Sequence, residues 1–476
     1  MKTISGRAVV VGTGPNGLAA AIVLAQAGMQ VEVFEAEEQP GGGARTLELT
    51  LPGFHHDFGS AVHPLAAGSP FFSSLPLRDY GLEWIHSPAP LAHPFDDGTA
   101  ITLERDLEAA VRVLGQDGKA WQNLVGPLAE QWSEFAPEIL RPIIHLPRHP
   151  LLMASFGLKA LAPAASLANR WFRSQRTKSL FAGLAAHSFL ALDEPLSASF
   201  GIVLGATAHA VGWPIPQGGA QSLTRALIAH LGTLGGIVTT SRRVDRLASL
   251  QEFHAALCDV TPHQLPRMAG EYFTPTYGRL LARYRHGPGA FKVDYALSQP
   301  IPWKAADCAR AVTVHLGGSM EEIGASEDAM REGRHAERPF VLLSQPTLFD
   351  SSRAPQGKHI AWAYCHVPNG STFDMLPRLE AQIERFAPGF RDCILSRRTF
   401  KPAALEAMDA NLVGGDISGG AANWRQLFFR PTWRQYATPD RRIYICSSST
   451  PPGGGVHGMC GYHAAQLALS RLQKPA

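Results

Sequence analysis

The stretch VVVGTGPNGLAAAIVLAQAGMQVEVFEA, Val9 to Ala36, constrains the fold more than any other part of the chain. Arg7 to Val11 is a short β-branched run without alternation, the pattern of a strand buried on both faces. Gly12, Gly14 and Gly17 follow at G-x-G-x-x-G spacing, Leu18 to Ala27 reads as a small-residue helix closed by Gly28, and Gln30 to Phe34 as a second strand. Glu35 comes directly after it. Each part has a job in a βαβ dinucleotide site. Gly12 permits the turn, Gly14 lets a pyrophosphate approach the backbone, Gly17 lets helix and strand pack closely, and the helix N-terminus offers free N–H groups to phosphate. Glu35 suits the hydroxyls of an unphosphorylated ribose. Gly12, Gly14, Pro15, Asn16, Gly17, Glu35 and Ala36 are therefore expected to bind cofactor.

A second glycine cluster follows in QPGGGARTLELTLPGFHHDFGSAVHP. Gly42, Gly43 and Ala44 offer further backbone to a pyrophosphate, and Arg45 offers a two-pronged cation to it or to a flavin edge. Gly59, Ser60, Val62 and His63 are expected beside the isoalloxazine ring. An NAD enzyme has no need of this second cluster, so its presence favours FAD. Near the C-terminus, a strand from Arg441 to Cys446 leads to SSSTPPGGGVHGMCGYHAAQLAL. Prolines and glycines from Pro451 to Gly455 require a loop, and helical spacing begins near His457. Gly455, Val456, His457 and Met459 are thus expected at the flavin, where a helix N-terminus would favour the negative charge of the reduced ring.

With 476 residues, 45% of them hydrophobic and 17% charged, the chain has room for two or three domains around a large core. A net charge of +3 is too small to suggest nucleic acid as a partner. The six cysteines have neither C-x-x-C nor zinc spacing, which points to reduced thiols in a cytoplasmic protein, with no metal site and no thiol relay. No cleavable leader is expected before a strand that starts by Arg7. G-x-S-x-G and H-E-x-x-H are absent, which sets hydrolase and zinc-protease readings aside. Between Ile139 and Leu192 there are seven cations and no acid, within an apolar context that Lys159 and Pro163 interrupt. That stretch is a poor membrane span; it suits either a solvated helical cap or peripheral contact with an anionic membrane at a greasy substrate entrance.

The chain resembles the phytoene-dehydrogenase-like flavoproteins, in the branch usually called pyridine-nucleotide-disulphide-oxidoreductase-domain proteins. GTGPNGLAAAIVLAQAG, PGGGARTLEL, GWPIPQGGAQSLTRAL, YGRLLARYRHGPGAFKVDYAL, GKHIAWAYCHVPNGS, NLVGGDISGG and SSSTPPGGGVHGMCGYHAA carry the resemblance. One departure is Ala44, which stands between the glycines and Arg45. The resemblance implies that Val244 lies at the adenine and that the loop holding Asn411 and Asp416 lies over the ring. Three cofactor segments so far apart must converge, so we expect a Rossmann-like α/β FAD domain from 1–66, 198–262 and 412–476. It would be interleaved with an α+β substrate domain, its helical cap from 67–197 and its antiparallel sheet from 263–411. Phe291 to Leu297, Ala311 to Leu316, Phe340 to Gln345 and His359 to His366 are its expected strands.

The expected activity is oxidoreduction: dehydrogenating, saturating or isomerising a C–C bond of an isoprenoid- or acyl-like substrate, with hydride passing to flavin N5 and oxygen or a quinone as final acceptor. His63, Asn411 and His457 are the catalytic candidates; for His63 a purely structural bond to local backbone is as good a reading. An amine oxidase acting on a C–N bond, with Lys292 facing the ring, and a protein that holds FAD without turnover are the alternatives. His55 and His56 read as surface loop residues, and Trp213 and Trp362 as core.

Overall fold

The computed structural model describes residues 4–473. Two sheets organise the chain. In the first, five parallel strands run in the order Ile443–Ile445, Ala255–Cys258, Arg7–Val11, Gln30–Phe34, Ile237–Thr239. Val9 and Val10 are fully buried, as an all-parallel sheet requires of its central strand. The helix after the first strand is Pro15–Gln26, three residues longer at its start than the apolar spacing suggests. Pro15 explains the difference: its fixed φ and missing N–H fit the first helical position, with Gly14 as the cap. The C-terminal helix, Met459–Leu472, lies against this one so closely that an ideal Cβ on Gly461 would sit 1.8 Å from the Asn16 carbonyl oxygen. The chain's two ends therefore share one unit.

The second sheet has seven strands in the order Ile394–Phe400, Gly289–Leu297, His359–Val367, Val341–Ser344, Ala311–Leu316, Ala89–Pro94, Ala100–Leu103. All its pairings are antiparallel except that of Ala311–Leu316 with Ala89–Pro94. The four strands read from sequence are present here. The hairpin of Ala89–Pro94 and Ala100–Leu103 was not foreseen, since the whole of 67–197 was read as helical. Its signal is Asp97-Gly98 between two apolar runs, with Gly98 at φ +81° and the Phe95 N–H donating to the Thr99 carbonyl. That insertion also holds a short strand, Trp84–Ile85, paired with Ile215–Pro216, and the helices Leu107–Leu114, Gly118–Glu130, Trp132–Ile139, Pro150–Ala160, Ala164–Trp171 and Gln175–Ala186. No described helix is long and apolar enough to cross a membrane; Pro150–Ala160 and Ala164–Trp171 together have the composition but bend by 102° at Pro163.

Candidate functional site

A single cleft of about 1100 Å³ runs from the C-terminal ends of the parallel strands to the face of the second sheet. That is where open parallel sheets bind ligands. At the near end, Glu35 is nearly buried and accepts from the N–H of Thr13 (2.9 Å), the hydroxyl of Thr13 and the N–H of Glu37 (3.0 Å). The carboxylate is thus fixed where a ribose would lie. No described group accepts from the N–H of Gly14 or Asn16 at the head of the Pro15–Gln26 helix. The second glycine cluster closes on the first: a Cβ on Gly42 would be 3.2 Å from the Gly14 Cα, whereas one on Gly43 would meet nothing within 4 Å. Two bare stretches of main chain thus face an open space with donors to spare, a cradle that fits a pyrophosphate.

Gly12, Gly14, Pro15, Asn16, Glu35, Ala36, Gly42, Gly43, Ala44, Arg45, Gly59, Ser60, Val62, His63, Val244, Asn411, Gly455, Val456 and His457 all line this cleft. Gly17 and Met459 do not. Gly17 is a packing glycine, whose Cβ would lie 2.1 Å from the Gly12 carbonyl oxygen, and its N–H donates to Asp259 Oδ2 (2.9 Å). Met459 starts the last helix, one turn behind the wall, and its N–H donates to His457 Nδ1 (3.0 Å). Arg45 is buried over the Phe58 ring and its guanidinium donates to the carbonyls of Gly42 and Met408, so backbone already holds it in place. Asn411 lies at the first glycine turn: its amide donates to the Asp259 carbonyl (2.9 Å).

Burial disfavours the charged form of both histidines proposed for catalysis, His63 and His457. Burial pushes His457 down to about 4, and acceptance from Met459 leaves its proton on Nε2. Burial also lowers His63, with Asp57 acting weakly against it; its Nε2 donates to the Ser60 carbonyl (3.1 Å), and its shielded Nδ1 has no partner.

Several lining groups were left open or misread from sequence. Lys292 reaches the cleft from the second sheet, buried, with its ammonium 5.9 Å from the Trp362 ring, 5.6 Å from the Phe400 ring and paired with Asp294. Burial raises Asp294 to about 6 despite that cation. His56 is not a surface residue. It sits on a short strand, His55–Asp57, fully buried and 3.7 Å from Asp294, with Nε2 bonded to Thr50. Trp213 and Trp362 are buried yet form part of the cleft wall, as does Tyr364, stacked on Trp362 at 5.6 Å. Beyond Tyr364, His366 turns away to Glu327 (2.7 Å). Lys292, the residue of the amine-oxidase alternative, shares a period-2 face with Asp294 in an otherwise apolar strand, which places both on the cleft side. Asp259 also stood at the C-terminal end of a buried parallel strand.

The family profile for an NAD(P)-binding Rossmann-like domain matches residues 10–73. Along nearly the full chain, the sequence is 26% identical to pyridine nucleotide-disulfide oxidoreductase domain-containing protein 2 of Rattus norvegicus, covering 98% of this chain and 94% of that one. It is 25% identical to a phytoene desaturase (lycopene-forming) of Pseudescherichia vulneris, covering 97% and 98%. Along nearly its full length the chain is thus similar to oxidoreductases of the phytoene-dehydrogenase kind. The fold is also that of a solved oxidoreductase from Methanosarcina mazei, with a TM-score of 0.64 at 16% identity over 98% of this chain and 100% of that one.

Proposed function

We propose that the chain is an FAD-dependent oxidoreductase acting on a C–C bond of an apolar, isoprenoid- or acyl-like substrate, reoxidised by oxygen or a quinone. The continuity of the cleft supports this reading: one cavity joins the glycine cradle to a chamber walled by Met153, Phe156, Leu161, Phe189, Val203 and Leu342. Glu35 would hold the ribose, the main chain at Gly14, Asn16 and Gly43 the pyrophosphate, and the loop from Gly454 to His457 the ring. When bound, the flavin supplies a two-electron acceptor at N5. The apolar walls orient a hydrocarbon by burial and exclude water. The unpartnered Nδ1 of His63 on the cleft wall would accept the proton, although a lowered pKa makes it a weak base. We further propose that the rim of exposed Ile143, Ile144, Leu146, Leu151 and Leu158, in a stretch free of acids, rests on a membrane surface and admits the substrate.

Denaturing the purified protein and identifying the released flavin by chromatography tests the cofactor; release of no FAD ends the reading. Anaerobic bleaching by isoprenoid and acyl compounds, with none by amines, is the expected result for the substrate class. Lys292, buried between Trp362 and Phe400 on the cleft wall, favours a second reading, oxidation of a C–N bond. Hydrogen peroxide release from amines alone would select it.

A further inference from the structure

A second cavity, about 450 Å³, opens on the outer side of the segment that walls the cleft. Leu140 and Ile143 face the cleft, whereas Arg141 and Pro142 between them face this cavity. Its other walls are Trp433 to Ala437 and the C-terminal helix through His463, Leu467 and Arg471. Three arginines line it, Arg141, Arg434 and Arg471, and no acid does. No described carboxylate forms a salt bridge with any of the three, whereas the buried Arg353 and the half-buried Arg7, Arg378 and Arg385 each have such a partner.

Aromatic faces hold two of these guanidinium groups instead. Arg434 lies 4.6 Å from the Trp433 ring centroid and Arg471 5.5 Å from that of Tyr444. Stacking of this kind fixes the plane of the group and leaves its N–H edge free. The third, Arg141, has its Nε shielded from solvent with no hydrogen-bond partner. A buried donor without an acceptor is costly, and three like charges around one concavity repel one another. The surrounding backbone is nonetheless pinned: His463 Nε2 donates to the Leu140 carbonyl (3.0 Å), the Tyr436 hydroxyl to the Pro451 carbonyl (2.9 Å) and the Ile445 N–H to the Tyr436 carbonyl (2.9 Å). Gln435, at φ +54°, holds an uncommon conformation at the centre of the loop. A multivalent oxyanion would satisfy the orphaned donor, offset the repulsion and match guanidinium forks in geometry.

We infer that this cavity is a phosphate-binding site, in which Arg141, Arg434 and Arg471 together take a phosphate group. The phosphate arrives either free in solution or as the headgroup of a phosphomonoester lipid, since Trp433, 65% exposed, borders the opening. The site is independent of the cofactor cleft and of what reaction occurs there. Two probes separate the sources: inorganic phosphate by isothermal titration, and co-sedimentation with phosphatidylcholine vesicles with and without phosphatidic acid. The Arg434→Gln/Arg471→Gln protein is compared with wild type in both, with its flavin content and melting temperature as checks on folding. At least a tenfold loss of inorganic phosphate affinity in the variant is expected for a free-phosphate site. Sedimentation that needs phosphatidic acid and is lost in the variant, without binding of free phosphate, assigns the lipid headgroup. Equal behaviour of the two proteins with both probes, or binding of neither probe by wild type, overturns the inference. Should the double variant not fold, Arg434→Gln alone provides the same comparison, because its guanidinium stacks on the surface-exposed Trp433 ring.

Discussion

At the scale of single residues, the glycines of the first turn do different work, and substitution should separate them. A Cβ on Gly17 would press on the backbone at 2.1 Å, which cannot yield without parting helix from strand. Gly17→Ala should cost about 2 kcal/mol or more, measured by denaturant unfolding. A Cβ on Gly14 would meet only the end of the Asp259 side chain, at 2.7 Å, which can swing aside. Gly14→Ala should therefore fold with a loss under about 1 kcal/mol yet purify with little bound flavin, seen in its visible absorbance per protein. Asp259 carries a second prediction. Burial, together with Asp409 and Glu35 and against the Gly17 N–H, raises its carboxyl to about 7. The folded pKa exceeds the unfolded one, so its contribution to stability is full below the unfolded value and is lost as pH rises through about 7. The charge gained over that interval faces the phosphate cradle. Flavin affinity should fall as pH rises through 7 in wild type and stay level in Asp259→Asn; titration of apoprotein at pH values on either side of 7 checks this.

Among the secondary-structure elements, those legible in the sequence were the ones with one strong local signal. The first strand, the following helix and the strand at Gly289–Leu297 all have a periodicity that tertiary context does not contest. The hairpin at Ala89–Leu103 went unread because its strands are short and sit among helices; only the pairing with Ala311–Leu316, more than two hundred residues away, makes them strands. His56 was misread for a related reason: a polar pair after Pro52-Gly53 looks like loop, and its burial depends on Asp294 from a distant strand. Nearly all of the cofactor cradle was visible as motif, whereas the chamber walls were not, because apolar residues facing a cavity and apolar residues facing core have the same pattern. The Pro150–Ala160 helix shows this ambiguity from the other side. Met153, Phe156 and Ala160 face the cleft while Leu151 and Leu158, over 80% exposed, face outward. Replacing those two leucines with glutamate should abolish sedimentation with anionic vesicles and leave flavin content unchanged. Retention of vesicle binding would remove the membrane role of this helix.

For the whole molecule, acid is the expected weakness. His56, His93 and His457 are each essentially buried, and desolvation is the largest cause of their depression to about 3, 4 and 4. The unfolded chain binds protons at these positions below pH 6.5 while the folded one resists until near 4. Their stabilisation is thus present above 6.5 and is lost as pH falls, at a slope of about 1.4 kcal/mol per pH unit for each group. Melting temperature should drop steeply from pH 6.5 towards 4, and replacing His93, which has no part in the cleft, with a neutral amide should soften the slope. The arrangement of the parallel sheet has a different consequence, for biosynthesis. Its outermost strand, Ile443–Ile445, and the helix that follows complete a compartment begun by Arg7–Val11 and Pro15–Gln26, which are made far earlier in synthesis. A nascent chain therefore cannot close this compartment until that late segment has emerged, and any product ending before Ile443 lacks the wall that Gly454 to His457 give the cleft.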